Sequence, residues 1–280
     1  MASATRLPMG SPPQSCAFLA ALMVALACVS PRAVAADVTL PILVYHHFDA
    51  TVHDEMTVRP GTFEWQLRYL RTHDYHVIRL RDYVRYRRGA GPPPPPHAVV
   101  ITADDGRRSV YTVMFPLVRT WGVPVTLFIY PSAISNASYA MTWPQLAELV
   151  RSGLFDVESH TYWHPNFKTE KARLDPRQYR AFVQRQLVLS KAVLERRLGV
   201  HVDLLAWPFG IYDPDLMREA GAAGYVAAVS IERRPAGPKD PLLALPRFIV
   251  TDHDVGAAFA RLLDPAPKHH PSQAAPKGSR

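Results

Sequence analysis

The strongest constraint on the fold is the alternation of short apolar segments with longer amphipathic segments between residues 41 and 263. Runs rich in apolar and β-branched residues predict buried strands, and apolar residues at three- and four-residue spacing predict helices. Strands that alternate with helices favour a mostly parallel sheet. We predict strands over residues 41–45, 75–80, 98–102, 125–130, 154–159, 202–207, 225–229 and 245–250.

The segments between these strands predict a set of helices. The predicted helices lie near residues 63–70, then over 82–88, 109–120, 142–151, 175–198, 215–222 and 255–263. Thr142 is a candidate N-cap, Pro116 is expected to bend its helix, and Gly199 is expected to end the longest helix. Seven or eight such units without a glycine-rich dinucleotide loop favour an α/β barrel over an open nucleotide-binding sheet.

The two ends of the chain predict segments outside this domain. Arg6 precedes an apolar stretch over residues 17–29, which is shorter than the roughly 20 residues that span a bilayer. Small residues at 33–35 then predict signal-peptide cleavage. We therefore divide the chain into a signal peptide (1–35), one domain (36–264) and a disordered basic tail (265–280). The prediction is export to the periplasm or the cell exterior of a bacterium, with lipidation of Cys28 or an uncleaved anchor as alternatives.

Composition narrows the class of protein and the chemistry of any metal site. With 48% hydrophobic and 20% charged residues in 280, wholesale disorder and collagen-like repeats are excluded. The net charge of +8 comes from scattered basic residues, so nucleic acid is not an expected partner. Both cysteines, Cys16 and Cys28, fall in the predicted signal peptide. Any metal site in the mature chain must therefore use His, Asp and Glu.

A pair of carboxylates follows the predicted strand at residues 98–102. Asp104 and Asp105 are adjacent and repel each other unless a cation or a proton lies between them. One division of roles is that Asp105 binds a metal while Asp104 remains free as a base. Gly106 allows the backbone to turn sharply. The alternative is a solvated turn, because Asp-Asp-Gly is common in loops.

A pair of histidines follows the predicted strand at residues 154–159. His160 and His164 can converge on one ion if their loop coils into about one helical turn. Zn²⁺ accepts imidazole and carboxylate ligands and leaves a position open for water in catalytic sites. The alternative is two surface histidines, although two such pairs at separate strand ends are less easily explained by chance.

A third motif follows the predicted strand at residues 202–207. Trp207 and Phe209 flank a proline, and aromatic rings at the edge of a cleft suit stacking against sugars. The Pro–aromatic turn can also direct a backbone N–H into a site. Packing alone explains aromatic residues here equally well.

The three motifs in this order resemble the polysaccharide deacetylases of carbohydrate esterase family 4, which contain the NodB-homology domain. The resemblance covers about residues 41–250 and is strongest to the branch that acts on poly-β-1,6-N-acetylglucosamine in biofilms, which also has a Tyr-His strand like residues 43–47. It implies a distorted (β/α)₇ barrel and a divalent metal held by Asp105, His160 and His164. Zn²⁺ is the expected ion, with Co²⁺ or Ni²⁺ possible.

The resemblance also implies a reaction and roles in it. Asp104 would be the catalytic base in the hydrolysis of an acetamide group, with the oxyanion helped by a backbone N–H near Phe209. The expected substrate is an acetylated amino-sugar polysaccharide, and the expected products are acetate and a free amine. Proteins for synthesis or export of the polymer would be separate chains.

Several residues depart from the family pattern. Ala103 replaces the usual phenylalanine, and Ala206 stands where many members have an arginine that orients the base. Arg247, near a late strand end, is a candidate to replace that arginine. The family's late Leu-x-His motif, which supplies the general acid, is not evident. We therefore hypothesise that His46 or His47 protonates the leaving amine, the alternative being a histidine bonded only to backbone groups.

Two other classes of function remain open from the sequence. One is a non-catalytic polysaccharide-binding homologue that keeps the cleft. The other is a different metallohydrolase, such as an esterase acting on O-acetyl groups of xylan. A phosphoesterase is disfavoured, because no cluster of carboxylates suggests a second metal.

Overall fold

The structure is a computed structural model that describes residues 38–264. The predicted signal peptide and basic tail lie outside the described residues and remain predictions. The strands are β1 (Ile42–Tyr45), β2 (His47–Phe48), β3 (Thr57–Val58), β4 (His76–Ile78), β5 (Ala98–Asp104), β6 (Val125–Ile129), β7 (Phe155–Ser159), β8 (Leu204–Ala206), β9 (Ala227–Val229) and β10 (Phe248–Ile249). The α-helices are α1 (Pro60–Thr72), α2 (Leu80–Arg87), α3 (Phe115–Trp121), α4 (Trp143–Arg151), α5 (Phe167–Arg173), α6 (Pro176–Leu198), α7 (Pro214–Ala222) and α8 (Ala257–Leu263).

The main sheet is parallel and curls toward closure. Its strand order is β10-β1-β5-β6-β7-β8-β9, and β4 pairs with the first half of β5. A parallel bridge between Val229 and Leu245 joins β9 to the segment that leads into β10. The described chain therefore has the α/β architecture of a distorted (β/α)₇ barrel, as predicted. Within residues 38–264, we find no helix with both the length and the apolarity required to cross a bilayer.

Alternate residues of each strand face different cores, as the pleat requires. Val99, Ile101 and Ala103 of β5 pack in the larger core, together with apolar residues of the surrounding helices. Val100 packs in a smaller core inside the barrel, which Leu80 and its neighbours on α2 help to fill. Helix α2 therefore fills the base of the barrel. The opposite end, where the strands terminate, is left free for a site.

Each predicted element corresponds to an observed one, although the bounds differ: β5 and α1 are longer than predicted, and several strands are shorter. The last three strands have two or three residues each, where five or six were predicted. Beyond β9 the pairing shrinks to the single bridge between Val229 and Leu245, in which Ser230 N–H donates to Leu245 O and Leu245 N–H donates to Ala228 O. Helix α5, whose N-cap is Asn166, was not predicted from the sequence. It is short and only Phe167 is buried, so it lacks a helical apolar pattern.

The helix predicted over residues 109–120 is irregular for a reason that the sequence contains. A π-helical turn covers Val110–Met114, and α3 follows directly. Phe115 N–H donates to Val110 O, five residues earlier. Pro116 has no N–H to continue the regular ladder, so the wider turn falls just before it. The expected bend at Pro116 is thus a π-helical turn.

Candidate active site

Three loops at the carboxyl ends of the barrel strands build the site. Asp104 is the last residue of β5, His160 follows β7, and the 3₁₀ turn Pro208–Gly210 follows β8. Strands β5 to β8 are parallel neighbours, so these ends meet at the same rim. The loops line a pocket of about 370 Å³, which also contains His46, Arg107 and Trp207.

Asp105, His160 and His164 lie close enough to share one ion. One ligand atom from each of them lies within 4.8 Å of the other two. The Asp105 carboxylate is 3.8 Å from His160 Nε2 and 3.9 Å from His164 Nε2. The two imidazole rings stand edge to face, with centroids 4.5 Å apart. Their separation suits a shared cation rather than direct hydrogen bonds.

The tautomer of His160 fits a role as a metal ligand. Its Nδ1 lies 2.8 Å from the carbonyl oxygen of Ala206. A carbonyl oxygen only accepts hydrogen bonds, so Nδ1 carries the proton and Nε2 presents its lone pair to the carboxylates. Burial lowers the pKa of His160 to about 3, so the ring is neutral at neutral pH. A neutral, oriented imidazole is the form that binds divalent ions.

The loop that joins the two histidines does not form the helical turn that their spacing suggested. Thr161 and His164 instead have positive φ angles of 64° and 63°. Asp105 and Phe209 also have positive φ, at 72° and 56°. Four of the seven non-glycine residues with positive φ in the described chain thus belong to the three motifs. Such conformations are costly and typically occur at functional sites.

Asp104 lies beside this trio and is held by Arg247. Arg247 Nη1 and Nη2 donate to Asp104 Oδ1 and Oδ2 at 2.8 and 2.7 Å, and both side chains are almost fully buried. Burial raises the pKa of Asp104, but the positive charge of Arg247, with a smaller contribution from His160, lowers it to about 2. Arg247 also donates to Ser230 O and Thr102 Oγ1, which fixes the guanidinium.

The two histidines considered as proton donors have different surroundings. His46 lines the pocket, with Nε2 at 4.0 Å from Asp104 Oδ2, and its buried Nδ1 has no hydrogen-bond partner in the described chain. Burial lowers the pKa of His46. His47 instead places its Nδ1 3.2 Å from Thr57 Oγ1, away from Asp104 and Asp105. The geometry therefore places His46, rather than His47, beside the candidate base.

The two aromatic residues of the third motif also differ. Trp207 is buried, and its Nε1 donates to the Leu243 carbonyl at 2.8 Å. Phe209 is 55% exposed and contacts the edge of His164 at a centroid distance of 4.6 Å. Stacking against a sugar is therefore available to Phe209, whereas Trp207 supports the pocket wall.

Three residues near the site were not singled out in the sequence. The Arg107 guanidinium lies over the ring of Tyr139, and the Tyr139 hydroxyl is 2.6 Å from that of Tyr130. Tyr130 in turn packs against His164, with ring centroids 5.4 Å apart. Arg107 directly follows the Asp-Asp-Gly motif, and that position is the one signal that could have identified it. The two tyrosines carry no pattern of their own.

The fold and the donor set define a (β/α) barrel with a candidate metal centre at its carboxyl rim. Residues 91–228 match the sequence profile of the polysaccharide deacetylase family. The chain therefore carries a polysaccharide deacetylase domain.

Relatives and solved structures agree with this assignment. A Staphylococcus aureus poly-beta-1,6-N-acetyl-D-glucosamine N-deacetylase is 23% identical over 202 residues, covering 70% of this chain and 68% of the relative. The Streptococcus pyogenes deacetylase PplD, solved with acetate, has a TM-score of 0.74 at 20% identity, covering 82% of this chain and all of that one. IcaB from Ammonifex degensii has a TM-score of 0.68 at 24% identity, covering 77% and 93%. The two structures share the fold of this chain.

Proposed function

We propose that this protein is a divalent-metal-dependent N-deacetylase that releases acetate from a polysaccharide containing N-acetylglucosamine. The observation that carries the proposal is the convergence of Asp105, His160 and His164, with ligand atoms within 4.8 Å of one another and Asp104 beside them. Two imidazoles and one carboxylate, with a further carboxylate held apart, suit amide hydrolysis by a water molecule.

The metal would be held by Asp105, His160 and His164. The lone pair of His160 Nε2, which is directed at the carboxylates, and the half-buried position of Asp105 and His164 fit a divalent cation. Such a cation lowers the pKa of a bound water and polarises the amide carbonyl. The ligand set of two histidines and one aspartate suits Zn²⁺ first, and also Co²⁺ or Ni²⁺.

Asp104 would act as the catalytic base, and Arg247 would position it. The bidentate contact fixes both carboxylate oxygens, and the low pKa of Asp104 keeps the group ionised and able to accept a proton. Arg247 reaches this position from the segment before β10. It would therefore replace the arginine that many family members have at the position of Ala206.

His46 would protonate the leaving amine. It lies in the pocket with its Nε2 4.0 Å from Asp104 Oδ2, so it would pass to the amine the proton that Asp104 takes from the water. Phe209 would form one wall of the sugar subsite, and its backbone N–H would support the oxyanion. Trp207 would support this wall from behind, because its ring is buried.

The substrate class follows from the relatives. The S. aureus and Staphylococcus epidermidis relatives are named poly-beta-1,6-N-acetyl-D-glucosamine N-deacetylases, at 23% and 24% identity. A β-1,6-linked N-acetylglucosamine polymer is therefore the proposed substrate. The apolar segment at residues 17–29 supports export to the periplasm or the cell exterior.

An acetate-release assay tests this proposal. Purified protein is offered oligomers of β-1,6-linked N-acetylglucosamine, chitin oligomers and acetylated xylan, with and without a chelator. We expect acetate release from the β-1,6 oligomers. The chelator should abolish this activity, and added Zn²⁺ or Co²⁺ should restore it. Acetate only from xylan would instead identify an O-acetyl esterase. Binding of the oligomers without acetate release would identify a non-catalytic homologue.

A further inference from the structure

One cation on the pocket wall has no role in the mechanism above. Arg107 follows Asp104-Asp105-Gly106, and an antiparallel bridge to Ala140 fixes its backbone. Its side chain lines the same pocket as Asp104, His164 and Phe209 and is 33% exposed. The guanidinium is thus fixed at its base and lies where a ligand can reach it.

The guanidinium of Arg107 lacks hydrogen-bond acceptors. Within residues 38–264 its Nε is buried without a partner, and the closest approach recorded to a carboxylate is 3.8 Å, to Asp105 Oδ2. By contrast, Arg247 makes four hydrogen bonds to oxygen atoms. An arginine carries five N–H donors, and those in a partly buried position normally find acceptors. A ligand in the pocket would supply acceptors to the exposed part of the guanidinium.

Among the charged side chains that line the pocket, Arg107 is the cation without a hydrogen-bonded counter-charge. The charge of Asp104 is balanced by Arg247, and Asp105 is assigned to the metal. Asp54 also lines the pocket, but it lies near the solvent and its Oδ1 already accepts from Met56 N–H and the Thr57 hydroxyl. Solvent screens an exposed carboxylate strongly, so Asp54 offsets Arg107 only in part.

We propose that Arg107 makes catalysis depend on the acetylation state of the sugar next to the one whose acetamide group is hydrolysed. This inference rests on the proposed function. A neutral N-acetylglucosamine unit offers hydroxyl, ether and amide oxygens to the guanidinium. A glucosamine unit carries an ammonium group at neutral pH, and Arg107 repels it. The enzyme would therefore avoid positions beside an amine that it has already released, and the product would be partly deacetylated with spaced amines.

The test compares three pentasaccharides of β-1,6-linked sugars. One is fully acetylated, and each of the other two carries a single glucosamine on one side of the central acetylated unit. The measured quantity is the ratio of kcat/KM for release from the central unit, fully acetylated over partly deacetylated. For the wild type we expect a ratio of about ten for at least one of the two, the size of one screened like-charge contact.

Variants separate charge from geometry. Arg107→Gln should bring the ratio near one, and Arg107→Glu should bring it below one, while Arg107→Lys should keep it near the wild-type value. Raising the salt concentration should shrink the wild-type ratio, because ions screen the repulsion. Arg108→Gln is the matched control: its guanidinium donates to Ser138 O on the exposed surface, and its loss should leave the ratio unchanged.

Several outcomes would overturn the proposal. The first is a ratio of one in the wild type for both partly deacetylated oligomers. The second is a ratio that stays at the wild-type value in Arg107→Gln and Arg107→Glu. The third is a ratio that falls as far in Arg107→Lys as in Arg107→Gln. In each case the fully acetylated oligomer still releases acetate, so the proposed function survives. Absence of acetate from all three oligomers contradicts the proposed function itself.

Discussion

Arg247 and Asp104 form a buried, two-pronged ion pair across 143 residues of sequence, with N–O distances of 2.7 and 2.8 Å. Asp104 ends β5, and Arg247 precedes β10. Strand β1 lies between β5 and β10 in the sheet, so the pair crosses the interior of the barrel. The candidate base is thus positioned by an element near the end of the described chain.

The ion pair predicts a large effect on stability. Arg247→Met leaves the Asp104 carboxylate buried without its partner, and we expect a loss of about 3–5 kcal/mol in the free energy of unfolding. Chemical denaturation measures this change. The double variant Arg247→Met with Asp104→Leu removes both charges and should recover most of the loss. Equal stability of the wild type and Arg247→Met would show that the pair does not hold Asp104 in solution.

Asp104→Asn tests the role of the base. The amide keeps the size of the side chain and cannot accept the proton, so we expect acetate release to fall by about 10²- to 10⁴-fold. Metal content, measured by elemental analysis, should stay at the wild-type level, because Asp104 is not assigned as a ligand. Activity within twofold of the wild type would remove Asp104 from the mechanism.

His160→Ala should remove both the metal and the activity. The ring supplies an oriented, neutral nitrogen to the candidate metal centre, and the two remaining ligands hold a divalent ion more weakly. We expect the protein to be purified with little metal, and acetate release to fall to background. His53→Ala, which changes an exposed histidine, is the control and should retain both. Full metal content in His160→Ala would place the ion elsewhere.

His46 and His47 are adjacent in sequence and give opposite predictions. His46→Ala should lower kcat by about 10²-fold, as expected for loss of a general acid. His47→Ala removes contacts with Thr57 and His53, away from Asp104 and Asp105, and should leave kcat within a few-fold of the wild type. If neither change affects turnover, the leaving amine is protonated by another group.

Gly210 is expected to tolerate no side chain. Its φ is +65°, and an added Cβ would lie 2.4 Å from Ile231 Cγ1. Gly210→Ala should cost about 1 kcal/mol for the backbone conformation and about 1–3 kcal/mol more for the clash. Gly122 has a similar φ of +64° with open space around it, so Gly122→Ala measures the first contribution alone. Equal losses of unfolding free energy in Gly210→Ala and Gly122→Ala would show that Ile231 moves aside without a measurable cost.

Hydrophobic patterning predicted most of the architecture. The alternation of apolar runs with helical segments indicated a parallel barrel, and the sheet order confirms it. The last strands are shorter than predicted, because the pairing near their ends is reduced to isolated bridges such as that between Val229 and Leu245. Helix α5 was missed, because Asn166 caps a turn with little apolar periodicity.

For the site, the sequence by itself determined which residue types could act. It contained a carboxylate pair, a histidine pair and an aromatic turn at strand ends, in an order that resembles one family. Only the tertiary structure decided their distances and partners: that His46 rather than His47 faces Asp104, that Trp207 is buried, and that Arg107 lacks acceptors. The physical reason is that strand pairing and barrel closure bring together residues more than 100 positions apart, whereas local patterns record only the neighbours of each residue along the chain.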